Sequence, residues 1–266
     1  MGYHVVRISD RSLLAAYFGH NPFVNAYALG DLDSFFWPRT EWFGIYQNQD
    51  LKTIVLLYSD DNIPVLLAID HEAELLGSAI TNCLTKFVPA HFYAHLAPSL
   101  LPAFQAKYEC VHHGTYLKMG LRPPTSFVLA HDVQDIFARR LTSDDLAQAT
   151  LLFKNAYPGN WFSGRMLETG KYFGAFNHEE MVGIAGVHVY SPSYKVAALG
   201  NITVAHDWRK RHIGAYLTSV LCEDLLQELS VITLNVKADN FVAIRCYEKL
   251  GFTTISRYEE VMISAQ

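Results

Sequence analysis

Two stretches of this chain align without a gap, WFGIYQNQDLKTI at 42–54 and YFGAFNHEEMVGI at 172–184. Phe43 answers to Phe173, Gly44 to Gly174, Tyr46 to Phe176, Asp50 to Glu180, Leu51 to Met181 and Ile54 to Ile184. Each stretch reads as two strands around a short polar turn, the pattern of a hairpin. A similar order of elements follows in both halves, so the expectation is an ancient duplication. RPPTS at 122–126 supplies the break, because consecutive prolines block helix and interrupt any ladder. Two units follow from this, 1–126 and 127–266.

Half of the 266 residues are hydrophobic, enough to bury a good core. The formal charge of −5 argues against a nucleic-acid or anionic-membrane partner, so any basic site has to be local. Cys83, Cys110, Cys222 and Cys246 form no CxxC pair and read as reduced thiols of a cytoplasmic protein. Apolar runs such as TIVLLY at 53–58 are strand length, and the opening MGYHVVRISDRS lacks a signal-peptide pattern. The expectation is a soluble, cytoplasmic chain.

In the first half, Asn21-Pro22 should open a helix through FVNAYALGDL. Residues 70–87 and 99–108 read as helices, HFYAHL at 91–96 as a strand, and HHGTYLKMGL as a closing strand. In the second half, DIFARRL reads as a strand, and Thr142 with Asp144 and Asp145 opens a helix, as the helix dipole prefers. The second hairpin, the strand KVAALGNITVA, a helix, the strand VITLNV, the helix NFVAIRCYEKL and the strand FTTISRYEEVMI complete the order.

The stretch VAHDWRKRHIGAYL at 204–217 joins a strand to a helix through a knot of positive charge. The first backbone N–H groups of a helix lack internal partners, and its dipole is positive there. Cations at that end are unfavourable by ~0.3–1 kcal/mol each unless an anion neutralises them. A pyrophosphate partner would explain the knot, with a solvated charge run as the alternative, and Gly214 would let backbone approach the phosphate closely. The loop is neither a GxxxxGK[ST] P-loop nor a GxGxxG fingerprint.

Downstream, LNVKADNFVAIRCYEKLGF puts Asn240 at a helix start with Ala243 and Tyr247 at helical spacing. Together these motifs resemble the GNAT superfamily of acyl-CoA-dependent N-acetyltransferases. Val204, Arg209, Ile213, Gly214 and Leu217 match its pattern V-x-P-x-x-R-G-x-G-[IV]-G-x-x-L, and Asn240, Ala243, Tyr247, Gly251 and Phe252 match N-x-x-A-x-x-x-Y-x-x-x-G-F. His206 replaces the family's proline, and Lys210 and His212 replace two glycines. The resemblance covers about 140–266; the first half shares only element order, as in two-domain glycine N-acyltransferase-like members.

The resemblance implies an α/β (α+β) fold of two tandem GNAT-like units, each a mixed, mostly antiparallel sheet flanked by helices. Strands at 196–204 and 231–236 would run parallel and then splay. Acetyl-CoA would lie in that cleft, held by the backbone of Ile202, Thr203 and Val204. Arg209, Lys210, Arg211, His212, Ile213, Gly214 and Ala215 would wrap its pyrophosphate, while Asn240, beside Ala243, would bond its arm. Tyr247 would stand near the sulfur as general acid. The implied reaction is direct attack of a small-molecule or peptide amine on the thioester, without a metal. KVAALGNITVA carries no acidic residue, so His188, Asn201 with a water, and His206 remain open as the base. A catalytically weak acyl-CoA-binding regulator is the competing reading, and a pure interaction module a third. The acceptor, the acyl chain length and the oligomeric state stay open.

Other features point elsewhere. His91 and His95 flank Tyr93, and His112-His113 are adjacent, but no further ligands stand at metal-site spacing. Asp31 and Asp33 suit capping or turn roles. Phe35, Phe36, Trp37, Trp42 and Phe43 read as packing, and Trp161-Phe162 as a lid for an apolar acceptor. APSLLPAF offers the first half no phosphate seat, so one coenzyme A per chain is expected, with the first half as a wall of the acceptor cleft.

Overall fold

The computed structural model describes residues 2–59, 63–69, 77–121 and 133–265. The linker at 122–126 and the start of the helix expected over 70–87 lie outside the described residues. Strands of the first half are β1 (Tyr3–Arg7), β2 (Thr40–Gln47), β3 (Asp50–Tyr58), β4 (Val65–Ala68), β5 (His91–Leu96) and β6 (Tyr108–Leu121). Those of the second are β7 (Phe137–Arg140), β8 (Phe173–Asn177), β9 (Glu180–Ser191), β10 (Val196–Val204), β11 (Val231–Lys237) and β12 (Phe252–Ala265).

Two compact units result, each discontinuous, where the sequence suggests one cut at 126. The first holds Met1–Lys118, Val236–Asp239 and Ile255–Gln266; the second holds Met119–Asn235 and Asn240–Thr254. Strand order in the first unit is β1-β2-β3-β4-β5-β12-β6, so most of the last strand lies between β5 and β6. Its Glu259–Ser264 pair antiparallel with Leu96–His91. Val261 and Ile263 thereby join Phe43, Ile45, Val55, Phe92 and Ala94 in a fully buried core. Strand order in the second unit is β11-β10-β9-β8-β7.

The two aligned stretches fold alike. Gly44 pairs with Ile54 and Gln47 with Asp50; Gly174 pairs with Ile184 and Asn177 with Glu180. A register shift falls between Ile45 and Tyr46 in one hairpin and between Ala175 and Phe176 in the other. The turn residues Asn48 and His178 both take positive φ, 57° and 52°. A parallel pair recurs as well, β4 with β5 and β10 with β11, each over four residue pairs.

Helices follow the expected places with shifted ends. The one predicted from Pro22 begins at Ala26, after turns in which Asn25 N–H bonds Asn21 O at 3.0 Å. Thr142 and Asp145 form a reciprocal capping box ahead of the helix Leu146–Ala156. Phe36, Trp42 and Phe43 are buried in the first unit. Asp33 makes the turn bond to Phe35 N, whereas Asp31 is 2% exposed with Oδ1 unpartnered, and burial raises its pKa well above the usual value.

The first unit also buries a polar group that the alternation of YLKMGL conceals. Tyr93 and Tyr258 donate to Glu260 at 2.5 and 2.9 Å, and His95 Nε2 lies 3.5 Å from the same carboxylate. Lys118 is fully buried, with Nζ lacking a hydrogen-bond partner and standing 4.7 Å over the Tyr27 ring. Desolvation lowers its pKa to about 7. In the unfolded chain a lysine titrates near ~10.4. The unfolded state therefore binds more protons between those values, and stability rises with pH across that window and is lost as pH falls through about 7. Lys118→Met is expected to stabilise the protein at pH 6 by up to a few kcal/mol, at ~1.4 kcal/mol per pKa unit, and so to raise its melting temperature. The gain should shrink towards pH 10; thermal melts across pH 6–10 check it.

Candidate active site

In the second unit β10 and β11 pair in parallel from Val196–Val231 to Leu199–Leu234 and no farther, although β10 continues to Val204. On its other side β10 pairs with β9 through an irregularity between Gly200 and Thr203, where Asn201 takes φ 54°. The expected splay is present, and Ile202, Thr203 and Val204 lie beyond its last pair. An edge past a last pair offers backbone N–H and C=O groups to a ligand.

β10 leads into a short turn, His206–Trp208, and then into the helix Ile213–Leu226. No side chain caps this helix, so the N–H groups of Ile213, Gly214 and Ala215 have no intrahelical or capping partner. A Cβ on Gly214 would meet only Val204 Cγ2, at 3.7 Å, which leaves the approach to the helix end open. Lys210 and His212, where the motif has glycine, take φ 64° and 63°. The left-handed backbone that glycine favours is thus retained with side chains attached.

The positive knot is directed differently from the sequence expectation. Arg209 Nη2 donates to Ala156 O at 3.0 Å and Nε to Val204 O at 3.2 Å. His206 Nε2 lies 3.2 Å from Asn155 O, and against a carbonyl it has to be the donor. The oxygens of Asn155 and Ala156 close the helix Leu146–Ala156, whose C-terminal dipole favours cations. Arg209 therefore clamps the loop to its neighbour. Arg211 covers the Trp208 ring at 4.7 Å, and exposed Lys210 makes no ion pair among the described residues.

Asn240 accepts from Ala243 N at 3.2 Å, capping the helix Phe241–Lys249. Tyr247, on that helix, is partly exposed, and its hydroxyl makes no hydrogen bond among the described residues. Burial first, then the neighbours Cys246, Tyr157 and Cys222, raise its pKa, so the phenol keeps its proton at neutral pH. Its ring meets Phe252 at 6.0 Å. Phe162, expected in a lid, packs on Phe153 and Tyr172 at 4.7 and 5.6 Å. Beside it is a recess of about 390 Å³ lined in part by Thr150, Lys154 and Asn160.

His188 rests against Gly200, where a Cβ would lie 1.9 Å from its ring. Asn201 Nδ2 donates to Tyr172 Oη at 2.9 Å, and the Oδ1 atoms of Asn201 and Asn235 are buried and unpartnered. Tyr172 and Asn235 escaped the sequence reading. Asn235 left a signal, a lone amide in the run VITLNV; Tyr172 left none. Among the described residues no three His, Cys, Asp or Glu are placed to hold a metal.

Residues 131–252 match the acetyltransferase (GNAT) family, and this part of the chain is a GNAT acetyltransferase domain. That part of the chain is accordingly an acyltransferase domain. No curated protein sequence matches the chain. Solved structures share its fold over nearly the whole length. A Drosophila protein aligns with TM-score 0.75 and 14% identity, over 98% of this chain and 99% of its own. A GCN5-related N-acetyltransferase from Sphaerobacter thermophilus gives 0.66 and 13%, over 98% and 95%. A tandem GNAT protein from the clavulanic acid biosynthesis pathway gives 0.60 and 12%, over 99% of both chains. No described helix is long and apolar enough to cross a membrane.

The positive-φ loop residues make a direct prediction. His212→Gly should keep the loop and bind acetyl-CoA at least as tightly, whereas β-branched His212→Val should lose ~1–2 kcal/mol of stability. Thermal melts and titration calorimetry of the two variants check this.

Proposed function

We propose that the chain is an N-acetyltransferase that moves the acetyl group of acetyl-CoA to a primary amine by direct attack in a ternary complex. The observation that carries this reading is the early parting of β10 from β11 beside an uncapped, unobstructed helix start. The residues present suit acetyl-CoA. Amide hydrogens of Ile213, Gly214 and Ala215, with the backbone of Arg209–His212, would take the pyrophosphate. The edge of β10 at Ile202–Val204 and the side chain of Asn240, with Ala243 beside it, would hold the arm.

Acetyl-CoA supplies a thioester carbonyl open to a neutral amine. Fixed N–H donors on β10 stabilise negative charge on the carbonyl oxygen without reorganising. Tyr247 holds its proton at Oη for the departing sulfur, and its raised pKa keeps that proton in place across the neutral range. Lys210 is a cation left for the phosphates once Arg209 is committed to Ala156 O. The free thiols of Cys110, Cys222 and Cys246 suit a reducing cytoplasm.

Tyr247→Phe is expected to keep acetyl-CoA affinity and to lower turnover about tenfold or more, the lower edge of general-acid effects. Calorimetry with acetyl-CoA and a thiol-release assay with pooled amines measure both, and unchanged turnover would remove the assignment. Calorimetry should also return one site per chain. Binding without thiol release from any amine would favour the regulatory reading.

A further inference from the structure

The amide of Asn201 has a determined orientation. Val187 O can only accept, so Tyr172 Oη, 2.9 Å away, donates its single proton there. Met166 Sδ, 3.2 Å from the same hydroxyl, is a much weaker acceptor. Asn201 stands 2.9 Å from that Oη and has to be the donor, which turns Nδ2 towards Tyr172 and fixes Oδ1 on the other branch. That Oδ1 is buried without a partner, on a residue 3% exposed and held at positive φ. Among the described residues that oxygen has no partner, and burying an acceptor unpaired is unfavourable, so the arrangement suits a donor brought by a ligand. Asn235, one residue past the last β10–β11 pair, has its Oδ1 in the same condition. Both oxygens lie just past the last β10–β11 pair, where a ligand bringing N–H or O–H groups would satisfy them.

We propose that Asn201 positions the acceptor, its Oδ1 taking a hydrogen bond from an N–H of the incoming amine. This deepens the acyl-transfer reading and rests on it. Asn201 packs beside Met166 and, through Tyr172, near Phe162. Asn201 directly precedes Ile202–Val204 on β10, the stretch proposed to hold the acetyl-CoA arm, so the amine it would orient stands beside the acyl donor. An amide oxygen at neutral pH orients the nitrogen without taking its proton. The residue therefore acts on amine affinity and leaves the pH profile of kcat in place.

Asn201→Leu removes the acceptor at similar volume, and Asn201→Asp restores an oxygen. With tyramine, spermidine and glycinamide as probes, Asn201→Leu should raise the amine KM about tenfold, the equivalent of one hydrogen bond. Acetyl-CoA Kd by calorimetry and the pH profile of kcat should stay as in the wild type, and Asn201→Asp should recover much of the KM. If the leucine variant does not fold, Asn201→Ala carries the same comparison. An unchanged amine KM overturns the proposal, and so does a loss that falls on acetyl-CoA affinity, which would assign Oδ1 to the cofactor arm. A wild-type chain that binds no acetyl-CoA would instead sink the acyl-transfer reading itself.

Discussion

The second unit depends on a sheet that stops pairing before its strands end. β10 and β11 share four residue pairs and then separate, while β10 runs on to Val204. A parallel ladder broken inside a protein leaves donors and acceptors unmet, a condition that folded chains otherwise avoid. The surroundings keep the gap from closing. The irregularity between Gly200 and Thr203 bends β10, and Asn201 at the bend is tied through Tyr172 to the backbone of β9.

The loop after β10 shows how one residue type can serve two ends of the same problem. Arg209 satisfies one terminal carbonyl of a neighbouring helix, Ala156 O, and one at the end of β10, Val204 O, and in doing so fixes the start of the next helix. Among the described residues no side chain takes the amide hydrogens at Ile213–Ala215. Lys210 and His212 preserve the loop's left-handed turns without glycine, which accounts for the departure from the family motif at those positions.

Much of this was legible in the residues. The two hairpins declare themselves by composition and spacing, and their registers coincide. The uncapped helix start at Ile213 and the helix after Asn240 are local features, so local sequence locates them. What sequence conceals is which distant group answers a side chain. Arg209 reads as a free cation because the carbonyl of Ala156 lies 53 residues away along the chain. Lys118 reads as the polar side of a strand, since alternation does not say that Tyr27 will cover it. Tyr172 looks like any strand aromatic, although its hydroxyl orders the amide of Asn201. The final strand alternates clearly, yet nothing in it names β5 as its neighbour.

That placement sets an order of assembly. Because residues 255–265 lie between β5 and β6 in the first unit's sheet, the earliest-made half of the chain cannot complete that sheet as it leaves the ribosome. Until the last segment arrives, β5 and β6 have an unfilled lane between them, with Phe92 and Ala94 short of their covering from Val261 and Ile263. A premature stop near residue 250 would thus injure the beginning of the protein more than the portion next to the stop.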